Sequence, residues 1–108
     1  FETSFSGSRE KTPVLCTTLP DIIVDYSISS ISLLKLDCEG AEYEILHHLD
    51  PNIAAFIPRI VCEIHECAEI PFKKDDLIAH MRSLGYSAEI YSAREMQGIK
   101  LWMAWFSR

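Results

Sequence analysis

No stretch of the 108 residues approaches the roughly 18 consecutive apolar positions that a membrane-spanning helix needs, so no bilayer crossing is expected. Positive charge is scarce too. Ten Lys and Arg stand against sixteen Asp and Glu, for a formal net charge of -6. The basic residues are scattered and form no stripe interleaved with aromatics, which excludes a nucleic-acid backbone as partner. Cysteine is sparse and unframed: Cys16, Cys38, Cys62 and Cys67 show no paired spacing. A chain that is 48% apolar does not need disulfide staples, and the four are expected to be reduced core thiols. Internal repeats and low-complexity tracts are absent. The first eleven residues are polar and charged, unlike a secretory leader, and resemble chain interrupted within a domain. With no targeting signal visible, the default compartment is the cytoplasm.

What is present reads as alternating strands and helices. Val14–Thr18 is β-rich and predicts a short strand. Thr18 is placed to cap a helix carrying Leu19, Ile22 and Ile23 to about Asp25, with Pro20 in its first turn. Ile31–Asp37 is a nearly continuous apolar run ending in an acid, as in strands buried on both faces. Beyond Gly40, Ala41, Ile45 and Leu49 recur at helical spacing, and Pro51 is expected to end that helix. Arg59–His65 alternates, with Ile60, Cys62 and Ile64 on one side. Asp76–Leu84 predicts a helix closed by Gly85. Tyr86–Tyr91 and Ile99–Phe106 form an antiparallel pair turning at Gln97-Gly98. The order implies an α/β fold, mostly parallel, with an antiparallel C-terminal strand.

In open α/β sheets, ligands sit outside the C-terminal ends of the strands. Two such ends carry titratable groups here: Asp37-Cys38-Glu39-Gly40-Ala41-Glu42 and Glu63-Ile64-His65-Glu66. Gly40 permits a sharp strand-to-helix turn. The plain structural reading is that these acids cap the helix, since carboxylates at a helix start gain about 0.3–1 kcal/mol each. The functional reading is that they face a ligand and take up a proton from a nucleophilic oxygen. A divalent cation held by Asp37, Glu39 and His65 is an alternative use of the same groups, and spacing alone assigns no metal. His47 and His48 are adjacent and cannot share a helix face, which argues against a joint site there.

The segment from Leu33 to Leu46, which reads Leu-Leu-Lys-Leu-Asp-Cys-Glu-Gly-Ala-Glu-Tyr-Glu-Ile-Leu, resembles the motif of the FkbM family of S-adenosylmethionine-dependent methyltransferases. That family shows a strand of the type L-K-[IL]-D-x-E-G-x-E followed by a helix. Thr17-Thr18-Leu19-Pro20-Asp21 is similar to its T-T-L-D-D segment. Arg59–Glu66 resembles its I-V-x-E-x-H-E strand, and Leu84-Gly85-Tyr86 its step into the last strands. The resemblance implies a Rossmann-like fold, usually of seven strands, with S-adenosyl-L-methionine as cofactor and a hydroxyl oxygen on a small molecule or sugar as acceptor. Asp37 and Glu39 would bind the cofactor. Glu63 and His65 would act catalytically near the acceptor.

The same comparison exposes departures. The family's D-x-G-A-N-x-G loop is missing, as is the acidic second-strand end that would hold the ribose. Cys38 replaces an aliphatic residue, and His47-His48 a Lys-Gly pair. Residues 1–108 are therefore expected to be the C-terminal portion of one such domain, inactive without its cofactor-binding half. A non-catalytic binding module derived from the family is the alternative. The Ser32–Asp37 strand, lacking a neighbour, would then offer an edge for self-association.

Overall fold

A computed structural model describes residues 11–108. In chain order the elements are α1 (Leu19–Asp25), β1 (Leu34–Leu36), α2 (Glu42–His47), α3 (Pro51–Phe56), β2 (Arg59–Glu66), α4 (Lys74–Ser83), β3 (Ser87–Met96) and β4 (Ile99–Ser107). The four strands form one mixed sheet in the order β1-β2-β4-β3. Only β1 and β2 run parallel; β2–β4 and β3–β4 are antiparallel. The expectation of a mostly parallel sheet is thus corrected. A helix between strands permits a parallel neighbour but does not require one. Here the C-terminal hairpin inserts β4 beside β2 and leaves β3 at the edge.

The core lies on one face of the sheet. Ile60, Cys62 and Ile64 of β2 and Ala104 and Phe106 of β4 are fully buried, packed with Leu46, Ala54, Leu77 and Met81 from the helices. Tyr86 locks the lower end. Its hydroxyl shares its one proton between the carbonyls of Ala54 (2.8 Å) and Ile57 (2.6 Å), closing the end of α3 onto the start of β3. On the other sheet face, Lys35, Val61, Met103, Trp105 and Tyr91 line a shallow groove. Of the four cysteines, all are free, but only Cys62 belongs to the core, and Cys16 is exposed.

Several local expectations need correcting. Val14–Thr18 is not a strand, and Leu15 is fully exposed. β-branched residues favour strands only when a pleated neighbour is there to pack against, and this segment has none among the described residues. β1 is three residues long rather than seven. Pro51 does not simply stop α2: it opens α3, with Asp50 as N-cap accepting from Asn52 N–H at 2.7 Å. Proline is well suited to a first helical turn because the N–H it lacks would be unpaired there. The buried face of α2 is Glu42, Tyr43 and Leu46, not Ala41, which is exposed. Thr18 caps α1 as expected, accepting from Asp21 N–H at 3.2 Å. The hairpin also holds, with Gln97 (φ +53) and Gly98 (φ +79) in the two left-handed positions of its turn.

Candidate active site

β1 and β2 pair in parallel with Leu36 opposite Cys62, so the residues just beyond them, Asp37 and Glu63, come out abreast at one end of the sheet. After Asp37 the chain reverses sharply. Glu39 adopts φ +51 and Gly40 φ +111, and Ala41 N–H closes the turn on Cys38 C=O at 3.2 Å. The positive φ of Gly40 calls for glycine, and a Cβ there would press on Ile70 Cδ1 at 3.2 Å. Glu39, without that excuse, holds a left-handed conformation that costs about 1–2 kcal/mol, which the surrounding structure must offset.

That offset comes from Glu42. Its carboxylate is fully buried and accepts three hydrogen bonds. Oε1 takes Gly40 N–H at 2.7 Å; Oε2 takes the backbone N–H of His65 at 2.9 Å and lies 3.2 Å from its Nδ1. Tyr43 donates its hydroxyl to the His65 carbonyl at 2.7 Å. β1 ends opposite Cys62, so the far end of β2 has no strand on this side. The first turn of α2 supplies the missing partners: Glu42 satisfies the N–H of His65 and Tyr43 its C=O. Both protonation behaviours fit this burial. The Tyr43 hydroxyl is pushed up by desolvation and by the Glu42 charge, so it stays a donor. Cys38 is pushed up by partial burial and then by Glu42, which keeps its thiol protonated and unfit as a nucleophile.

His65 is buried, at 8% exposure. With Nδ1 facing the Glu42 carboxylate, the other ring nitrogen, Nε2, is left 3.9 Å from Glu63 Oε1. Asp37, Glu63 and His65 bring one ligand-type atom each to within 4.8 Å of one another. Three of the four residues expected at the site are therefore brought together. Glu39 is not: it is exposed at the turn and lies outside this group. Glu42, expected to support an exposed first turn of the helix, is instead fully buried. Its signal was visible, since Glu42, Leu46 and Leu49 are spaced i, i+4, i+7 and share one buried face.

Glu66, one residue further along β2, accepts from Lys74 N–H at 2.9 Å and so caps α4, whose own N-cap residue Lys73 makes no side-chain bond. A separate apolar cleft of about 580 Å³ opens between α1, β1, α2 and α3, lined by Leu19, Ile22, Leu34, Leu36, Ile45 and Ile53 among others. None of Asp37, Glu39, Glu63 or His65 lines it, so size alone does not mark the chemical site.

A scan against protein-family models matches residues 1–88 to the methyltransferase FkbM domain. The chain belongs to the FkbM methyltransferase family. The match spans β1, β2 and every candidate site residue; β4, which completes the sheet beside β2, lies beyond it. Neither the curated proteins nor the solved structures contain a significant match. Among the described residues no helix is long and apolar enough to cross a membrane.

Proposed function

We propose that the protein carrying this FkbM domain transfers the methyl group of S-adenosylmethionine to a hydroxyl oxygen of a small molecule or sugar. One observation carries the reading: two adjacent parallel strands deliver Asp37, Glu63 and His65 to a single point, with His65 Nε2 left unengaged. In such a reaction the acceptor oxygen attacks the methyl carbon in line with the carbon–sulfur bond. The bond's electron pair leaves on sulfur, giving a neutral thioether, and the hydroxyl proton must go elsewhere. The Glu63–His65 pair receives it, with His65 oriented by Glu42 much as a catalytic histidine is held by a buried carboxylate. Asp37 stands on the cofactor side. Alignment supplies most of the remaining acceleration.

The 108 residues contain no glycine-rich phosphate or nucleoside loop, so the chain alone is expected to give no saturable heat with S-adenosylmethionine in a calorimetric titration. Micromolar binding would overturn that expectation. The activity itself is tested on the protein in which the domain occurs, by following label from methyl-labelled S-adenosylmethionine into a panel of sugars and small alcohols. Substituting Glu63→Gln or His65→Gln should lower turnover by roughly 10²–10⁴. Full turnover in both variants would remove the pair from the reaction.

The non-catalytic reading rests on the outer edge of β1, which pairs with no strand among the described residues. That edge is only three residues long, and short edges are poor templates for pairing with another chain.

A further inference from the structure

We infer that Asp37, Glu63 and His65 form a binding site for one divalent transition-metal ion. The set is mixed, two carboxylates and an imidazole, and differs from the one spacing suggested, since Glu63 takes the place of Glu39. Metal–ligand bonds of ~2.1 Å place neighbouring ligand atoms about 3 Å apart and opposite ones about 4.2 Å apart. With all three atoms already within 4.8 Å, side-chain movements of under about 1 Å would close the shell.

An independent observation points the same way. The His65 side chain is 11% exposed, and its Nε2 has no hydrogen-bond partner among the described residues and stands 3.9 Å from Glu63 Oε1. That gap is too long for a hydrogen bond and suits an ion between the two. The other ring nitrogen faces the fully buried Glu42, the carboxylate–histidine arrangement that fixes the tautomer of a metal-bound imidazole. Among the described residues no Lys or Arg pairs with Asp37, Glu42 or Glu63, Lys35 two positions before Asp37 included. An imidazole beside two carboxylates selects Mn²⁺, Fe²⁺ or Zn²⁺ over Ca²⁺, which prefers oxygen alone. Three protein ligands leave coordination positions open. On the methyl-transfer reading, an ion held by Glu63 and His65 would acidify an acceptor hydroxyl bound at an open position, in place of direct proton uptake by that pair; the binding itself does not rest on that reading.

The test uses Mn²⁺ as probe on the 108-residue chain without cofactor. Titration followed by electron paramagnetic resonance should remove the free-ion signal with one Mn²⁺ per chain, and pulsed spectra should show a coordinated nitrogen. His65→Ala should abolish the nitrogen coupling, and Asp37→Asn should weaken binding by roughly 10–100-fold. Because Asp37 is exposed, its variant keeps the test alive should loss of His65 unfold the chain. Free Mn²⁺ persisting to millimolar concentration would overturn the proposal. So would binding without nitrogen coupling that Asp37→Asn leaves unchanged, the mark of surface acids only. Absent methyl transfer with intact Mn²⁺ binding would count against the proposed function and not against this site.

Discussion

Glu42→Gln is the substitution on which the structure makes its sharpest demand. The wild-type carboxylate offers two acceptor oxygens, one to Gly40 N–H at 2.7 Å and one to His65, N–H at 2.9 Å and Nδ1 at 3.2 Å. A glutamine of the same shape has one oxygen and one NH₂. Whichever way the amide is turned, a backbone N–H of Gly40 or His65 meets a donor. Leaving one buried donor unsatisfied costs about 1–3 kcal/mol, and the surviving bonds lose their charge assistance. A loss of about 2 kcal/mol is expected, a sizeable share of the ~5–15 kcal/mol that holds a domain of this kind together. With a urea dependence of ~1–3 kcal/mol per molar, the unfolding midpoint should fall by about 1 M. Trp102 and Trp105, on the strand beside β2, report the transition by fluorescence. Amide exchange supplies a local reading: protection at Gly40 and His65 should fall more than at Ile60, within the paired part of β2. A midpoint within about 0.2 M of wild type, with unchanged protection at both amides, would refute the assignment of Glu42 as the clamp of this turn.

The α2–α4 contact should be sensitive to acid. His47 is held below its ordinary pKa of 6.5, first by burial and then by His80 and His48, with Asp76 opposing; its Nε2 is buried without a partner, and the His80 ring lies 4.8 Å away. The unfolded chain therefore binds the proton more readily, so stability is full above pH 6.5 and declines as pH falls below it. Urea midpoints at pH 7.5 and 5 should differ less in His47→Gln than in wild type; an equal difference would clear His47. Gly85→Ala should cost about 1 kcal/mol or more in chemical denaturation, because φ is +98 and the new Cβ would stand 3.0 Å from Arg108 Nη2. Tyr86→Phe leaves the buried Ile57 carbonyl without its hydroxyl donor, while Ala54 C=O keeps Ile57 N–H at 3.0 Å, and should cost about 1–2 kcal/mol, read from the same transition. Light scattering should find the chain monomeric at micromolar concentration, since β1 offers so short an edge; a stable dimer would favour the interaction-module reading.

What could be read from the residues was whatever local chemistry decides. Thr18 and Pro20 start α1, Gly85 closes α4, and Gln97-Gly98 turns the hairpin, each because one position needs a particular donor or a positive φ. The alternation of Ile60, Cys62 and Ile64 correctly named the buried face of β2. Strand order was not legible: nothing in β4 says that it pairs with β2 rather than lying beyond β3, because both arrangements bury Ala104 and Phe106. Val14–Thr18 misled for the same reason, its β-branched residues having no neighbour to pack against. Residues 92–96 are too polar to announce a strand and are held in one only by their pairing with β4.

The candidate site shows where the boundary between the two kinds of information falls. Asp37 and Glu63 stand abreast because β1 and β2 are parallel and in register, a relation between segments about 25 residues apart that no local pattern encodes. Glu42 looked like a solvated helix-start acid because Glu at that position gains from the helix dipole whether or not it is buried. What distinguishes it is that Leu46 and Leu49 place its side chain on the inward face, where a carboxylate is tolerable only if donors meet it. Three do, and they belong to both acidic segments: Gly40 of the first, His65 of the second. The same carboxylate thus shapes the turn that presents Asp37, ends the unpaired stretch of β2 and turns His65 Nε2 outward. A chain that kept Asp37, Glu63 and His65 but exchanged Glu42 for an apolar residue would retain the three functional groups and lose the geometry that makes them one site.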